Sequence, residues 1–259
     1  MMGIARWYET EGRHGHPWRA TRDRWSVLVS EVMLHQTQVA RVVEAWPPFM
    51  ARFPAPASMA DAAPAAVIEA WGRLGYPRRA RRLWEAARLI HEHGWPDDLE
   101  SLPGVGRYTA RAIAAQVDDA DVGAVEVNVR RVVERVLGEP CNDRAIEVAM
   151  VEIGRPLHGR DRLLAFMDLG AMVCRARDPG CFECPLHDRC TSRGPLPHER
   201  ERRRQPRYEG SLRQRRGGVL AVLRAGPTGT RSLDREALDT LIDDGLAEID
   251  GPDARLATR

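Results

Sequence analysis

Three stretches of this chain hold residue types whose spacing could do chemistry. Cys174, Cys181, Cys184 and Cys190 are spaced C-x6-C-x2-C-x5-C on one short stretch containing Pro and Gly. Four thiolates on such a loop can wrap one polynuclear centre, as cubane iron–sulfur clusters require. Cys181-x2-Cys184 is a metal-type spacing, and disulfides are disfavoured in a chain read as cytoplasmic. Zinc also takes four thiolates, so the cysteines alone leave a structural zinc site open. Cys141 lies outside the pattern and reads as a free buried thiol. The second stretch is "GAVEVNVRRVVERV" (Gly123 to Val136), where Glu126 sits among valines with Asn128 two residues on. Burying an ionised carboxylate there costs several kcal/mol unless it is compensated. Glu126 is therefore either a surface residue at the mouth of a helix or an acid held in a pocket for a purpose. The third is "LPGVGRYTA" (Leu102 to Ala110), with Gly104 and Gly106 in a turn just before a helix. Glycines there let backbone N–H groups approach a phosphate at the helix N-terminus. It is a poor nucleotide-binding loop, because no Lys follows the glycines and no strand precedes them.

The elements that must position these residues are helical. "DRWSVLVSEVMLHQTQVARVVEAWPPFMARF" has apolar residues at helical spacing until Pro47-Pro48, which is expected to break it. "APAAVIEAWGRLGY" and "RRARRLWEAARLIHEHG" follow, the second closing on Gly94. "EVNVRRVVERVL", "AIEVAMVEIGRPL" and "DRLLAFMDLGAMVCRA" are further helices, and no alternating run demands a sheet before residue 217. The segment "PLPHERERRRQPRYEGSLRQRR" has the composition of a linker. After it the order is helix, turn, helix and a short hairpin around Gly251-Pro252, which suits a small winged-helix unit or a helical tail.

The chain has 259 residues and a formal net charge of +2, and its 39 basic residues are all arginine. Arginine suits phosphate because its planar fork donates in pairs. With no lysine, no side-chain amine is available for a Schiff base. No apolar run approaches membrane-spanning length, and the first residues lack the apolar core of a signal peptide, so a cytoplasmic, nucleoid-associated protein is expected.

Together the Pro-Gly-Val-Gly hairpin, the four-cysteine tail and "SEVMLHQTQVARV" resemble the helix-hairpin-helix DNA glycosylases of the endonuclease III superfamily. Within it, "HPWR", "SEVML", "QTQVA", "WGRLGY", "LPGVGRYTA" and "FMDLGAMVC" are similar, in order, to motifs of the MutY-type adenine-DNA glycosylases. The resemblance covers about Trp7 to Cys190, and a short, actinobacterial-like form is the nearest pattern. It implies an all-α fold: a six-helix barrel domain over residues 21–124 and an iron–sulfur cluster domain from 1–20 and 125–193. A basic linker (194–217) and a winged-helix-like unit (218–259) complete the expected organisation.

The resemblance also implies roles. Glu31, in "SEVML", is the general acid that protonates the departing purine. Glu126 stands where the family has an Asp facing the oxocarbenium-like sugar, one methylene longer, and a shift of about 1 Å can cost roughly a hundredfold in rate. Asn128 orients that carboxylate, and Tyr108 lies near the sugar, at the position where lyases of the superfamily carry their lysine. Trp18 and Arg19 line the base pocket. His35, Gln36 and Tyr76 wedge into the duplex or sit beside the opposite base, His35 replacing the usual Gln. Leu102, Gly104, Gly106, Arg107 and Thr109 form the DNA-binding hairpin, and Arg78, Arg79, Arg81 and Arg82 are candidates for phosphates. Cys174, Cys181, Cys184 and Cys190 hold a [4Fe–4S] cluster. The partner is double-stranded DNA with a mispaired or damaged base, bound by a monomer.

The expected function is removal of adenine opposite guanine or 8-oxoguanine by base flipping, without lysine-based strand cleavage. Two alternatives keep the fold: a thymine or uracil mismatch glycosylase, and a weakened catalyst that mainly binds lesions. Glu126 and His35 motivate the first of these. A nucleotide-hydrolase-like domain of the kind that reads 8-oxoguanine in longer relatives is not expected.

Overall fold

The structure, a computed structural model, describes residues 3–201 and 207–258. Its helices are α1 (Ile4–Glu11), α2 (Arg24–Leu34), α3 (Val39–Arg52), α4 (Pro56–Ala60), α5 (Pro64–Trp71) and α6 (Arg78–His93). They continue with α7 (Arg107–Val117), α8 (Val127–Leu137), α9 (Asp143–Ile153), α10 (Gly159–Met172), α11 (Leu212–Ala225) and α12 (Arg235–Asp243). Strands β1 (Thr228–Gly229), β2 (Ala247–Asp250) and β3 (Asp253–Leu256) form a small antiparallel sheet in the order β1-β3-β2. Asp250 pairs with Asp253 across the Gly251-Pro252 turn. Among the described residues, no helix is long and apolar enough to cross a membrane.

Two compact units are present. One holds the described residues of Met1–Leu28 and Gly106–Arg204, the other those of Val29–Val105 and Gln205–Arg259. The sequence expectation drew the lines elsewhere, and side-chain packing accounts for the difference. Ala112 and Ala115 of α7 share a buried core with Trp7 of α1, Val129 and Val132 of α8, and Phe166 and Leu169 of α10. This helix therefore belongs with the cysteine-bearing unit rather than with a segment ending at residue 124. The C-terminal helices and sheet share a core with α5, where Ile68 packs with Leu220, Leu238, Leu241 and Leu256. That segment is part of the second unit, not a separate body. Composition also misled over the linker: Leu196 is buried, Glu199 takes an ion pair from Arg135, and α11 already starts at Leu212.

The expected helix break at Pro47-Pro48 does not occur, because α3 runs through both prolines. Each removes one backbone donor; both prolines are exposed, while Val42 and Phe49 anchor the buried side. The break falls earlier, at His35–Gln38, where Gln36 adopts a left-handed backbone (φ 55°).

Arg79 holds that break open. One terminal nitrogen donates to the carbonyls of Val32 (2.7 Å), Met33 (2.9 Å) and His35 (2.6 Å). The other donates to Thr37 Oγ1 (2.9 Å) and the Gly75 carbonyl (3.0 Å), and the guanidinium lies over the Trp71 and Tyr76 rings. It thereby supplies the donors that the last carbonyls of α2 lack. Burial pushes its pKa down to about 10, still a cation at neutral pH. A lysine has neither the second nitrogen nor the flat fork. Arg79→Lys is expected to lower unfolding free energy by about 2–3 kcal/mol in denaturant melts. A loss under about 0.5 kcal/mol, the range of ordinary surface changes, would show the staple to be dispensable.

Candidate active site

Glu126 is the N-cap of α8. Its Oε1 accepts hydrogen bonds from the backbone N–H of Asn128 (2.7 Å) and of Val129 (2.8 Å), and its Oε2 accepts one from Asn128 Nδ2 (3.0 Å). Both readings of the sequence thus hold part of the answer: the carboxylate stands at a helix mouth and is largely withdrawn from water. Burial pushes its pKa above the ordinary carboxylate range. The two N–H donors, the Arg131 charge and the Asn128 amide pull the other way without cancelling it. Helix N-termini favour anions, so burial and the helix end act on this carboxylate in opposite directions.

Asn128 is fixed in turn. Its Oδ1 accepts from Arg131 (2.6 Å), which also donates to the carbonyls of Gly170 (2.5 Å) and Cys174 (2.6 Å). Arg131 is 6% exposed. Gly170 lets α10 close on this point, because a Cβ there would lie 2.5 Å from Asn128 Cβ. One turn further along α8, Arg135 (1% exposed) donates to both carboxylate oxygens of Glu199 (2.8 and 2.6 Å) and to Cys174 Sγ (3.4 Å). Asn128, Arg131 and Arg135 are spaced i, i+3, i+7 on one face, running from the carboxylate to the cysteines. Arg131 and Arg135 do not stand out in the sequence, since arginines in an amphipathic helix read as solvated. The usable signal was their register with Asn128.

The four cysteines line one cavity with Arg135, Val173, Gly180 and His187. None is in a disulfide. Among the described residues, no three His, Cys, Asp or Glu side chains converge closely enough to hold a single ion. Burial raises the Cys174 and Cys184 thiols, the latter to about 11. Thiolates there need a compensating cationic centre, and four cysteines around one cavity suit a group that takes four thiolates.

Other expected residues in this unit fall differently. Tyr108 is partly buried against the same core as α8 and α10. Trp18 is buried and stacks on His16 (ring centroids 5.0 Å apart). Arg19 does not offer its fork to a base: both terminal nitrogens engage Asp168 (2.7 and 2.8 Å), which Arg13 also holds (2.6 Å). Burial alone would raise Asp168, but the two arginines hold it below the usual range. Arg107 pairs with Glu147 through two of its nitrogens (2.9 and 2.7 Å), with its side chain 50% exposed. Thr109, 1% exposed, points into the core. Gly106 is the N-cap of α7, with no side-chain cap.

In the second unit, Glu31 is 3% exposed on α2, beside the fully buried Ser30 and Met33. His35 lies in the loop stapled by Arg79, and burial with the Arg79 charge lowers its pKa, favouring the neutral ring. Gln36 is exposed. Tyr76, 39% exposed with φ 47°, lies in the loop held by the same arginine. Arg79 thus joins the two loops expected to meet the duplex. Leu102 is buried and anchors the hairpin, while Gly104 makes its turn at φ 81°.

A helical scaffold with a glycine hairpin and a half-buried carboxylate at a helix end narrows the class, and comparison with known proteins identifies it. Residues 29–155 match the HhH-GPD superfamily of base excision DNA repair proteins. Among solved structures, a thermostable thymine-DNA glycosylase superposes with a TM-score of 0.67 at 25% identity, covering 73% of this chain and 93% of that one. An endonuclease III–DNA complex shares the fold (TM-score 0.62, 21% identity, 73% and 91% covered). The chain is 41% identical over 275 residues to the adenine DNA glycosylase of Mycobacterium tuberculosis H37Rv, covering 95% of this chain and 90% of that protein. It is 37% identical over 208 residues to the adenine DNA glycosylase of Homo sapiens, covering 72% of this chain and 38% of that protein. The chain belongs to the adenine DNA glycosylase family, and is a DNA glycosylase of base excision repair.

Because burial raises Glu126, the folded chain binds a proton there more tightly than the unfolded chain does. The group therefore detracts from stability as pH rises through the ordinary carboxylate range and its raised native value. Glu126→Gln is expected to be at least as stable as the parent in urea melts at neutral pH, and to lose this part of the pH dependence. A clearly less stable variant would show that the cap's hydrogen bonds outweigh its burial.

Proposed function

We infer that this enzyme removes adenine mispaired with guanine or 8-oxoguanine and leaves an abasic site without cutting the strand. The observation that carries the reading is Glu126, an ionisable carboxylate held by two peptide N–H groups and Asn128 at the end of α8. Adenine is flipped out of the stack, at a cost of a few kcal/mol. Glu31, buried on α2, donates a proton to the purine ring and makes it a competent leaving group. As the glycosidic bond breaks, positive charge spreads over the sugar, and the Glu126 carboxylate stabilises it. Water adds to the anomeric carbon and loses its proton, and adenine departs. Asn128 and Arg131 keep the carboxylate in line, and Tyr108 lies near the sugar.

Strand cleavage through a Schiff base needs an amine. The chain has no lysine, and Tyr108 occupies the superfamily's lysine position. Cys174, Cys181, Cys184 and Cys190 would hold a [4Fe–4S] cluster, which when bound would fasten the loop beside Arg135. Gly104 and Gly106 bring backbone N–H groups to a phosphate, His35, Gln36 and Tyr76 meet the duplex, and the chain acts as a monomer.

Duplexes carrying A·8-oxoG, A·G, T·G or U·G, incubated with the enzyme and then cleaved by alkali, separate the readings. Product from the adenine mispairs only after alkali is expected; product confined to T·G or U·G would overturn the substrate, and breaks without alkali would overturn the monofunctional reading. Glu31→Gln is expected to slow single-turnover excision by about 10²–10⁴-fold. Glu126→Asp keeps a favoured helix cap and is expected to preserve or raise adenine excision; a large loss would mean that the longer arm is required here.

A further inference from the structure

The first turns of α6 crowd Arg78, Arg79, Arg81 and Arg82 together, and the structure sorts them. Arg79 is held inside by the carbonyls of two loops. Arg78 pairs with Asp244 at the end of α12 (3.2 Å). Arg81 pairs with Glu85 (2.9 Å), lies over the Trp84 ring and reaches the Gly245 carbonyl (3.4 Å). The C-terminal segment thus engages two of the four cations. Arg82 differs: it is exposed, and among the described residues it has no ion pair. Its stem runs along the face of Gly104. A Cβ at Gly104 would lie 3.0 Å from Arg82 Cβ and 3.4 Å from its Cδ. Gly104 therefore meets two requirements at once, a left-handed turn and a seat for an arginine stem.

We propose that Arg82 is a phosphate-binding residue of the hairpin, adding a full positive charge to the backbone N–H groups at Gly104. It grips the DNA backbone without reading sequence. The inference rests on the hairpin being the phosphate site. A stem packed on a glycine loses little further freedom when its head binds, and a guanidinium fork matches two phosphate oxygens. Its neighbours cannot take the role without breaking the contacts named above.

The test is the salt dependence of binding to an undamaged duplex, where no base is excised. Arg82→Gln is expected to reduce the slope of log K against log [salt] by about 0.9, the share of one phosphate contact. Arg82→Lys is expected to keep the slope. Arg88→Gln removes the same charge from the same helix, where Arg88 lies on the Trp84 ring, and is expected to leave the slope unchanged. Gly106→Asp tests the hairpin itself: Asp is a favoured N-cap, so α7 survives, while its carboxylate competes with a phosphate and binding weakens. Thermal melts confirm that each variant folds. If Gly106→Asp weakens binding but Arg82→Gln leaves the slope intact, or if Arg82→Gln and Arg88→Gln lower it equally, the Arg82 assignment is overturned and the hairpin site stands. If Gly106→Asp binds as tightly as the parent, the hairpin reading falls, and the Arg82 assignment falls with it.

Discussion

Two peptide N–H groups at the start of α8 hold the Glu126 carboxylate in surroundings that would otherwise reject it, and the packing of its unit keeps that helix end in place. Gly123 brings the preceding segment onto α9, because a Cβ there would meet the Glu147 backbone at 2.6 Å. Gly170 lets α10 press against Asn128. Arg131 then closes the arrangement, tying the Asn128 side chain to the carbonyls of Gly170 and Cys174. The carboxylate is therefore oriented through a continuous set of hydrogen bonds that reaches the cysteine loop, and Arg135 extends the set to the Cys174 sulfur.

The same device recurs across the chain. Arg79 satisfies the carbonyls at the end of α2, and Arg160 donates to those of Thr21, Gln116 and Arg19. A buried charge is tolerable only when its donors are used, and a guanidinium offers five in a fixed plane. In a lysine-free chain, arginine does the work of fastening loops, and DNA has to be met by those arginines that the fold leaves uncommitted. This is why a net charge of +2 says little about affinity for DNA: the informative quantity is which cations are already engaged.

The C-terminal segment illustrates how composition and packing part company. Read as a sequence, it is a small unit behind a charged linker. In the structure, Leu220, Leu238 and Leu256 close over Ile68 of α5, and Asp244 takes both Arg78 and Arg216. It braces the helix that follows Tyr76, and its place in the unit is set by apolar contact with Ile68, far away in sequence.

Sequence alone was enough for the helical class, the four-cysteine tail, the glycine hairpin, and the oddity of Glu126 followed by Asn128. These depend on local rules: periodicity, capping, and residue types whose chemistry is unusual enough to stand out. It did not separate the arginines. Arg19, Arg79 and Arg107 look like DNA ligands in sequence, yet Asp168, a row of carbonyls and Glu147 hold them. Arg131 and Arg135 look like solvated surface, yet they are buried at the centre of the site. A side chain's type and helical register are written locally, whereas whether its charge is already satisfied depends on which distant backbone or carboxylate the fold brings beside it. That pairing was decided only in the tertiary structure.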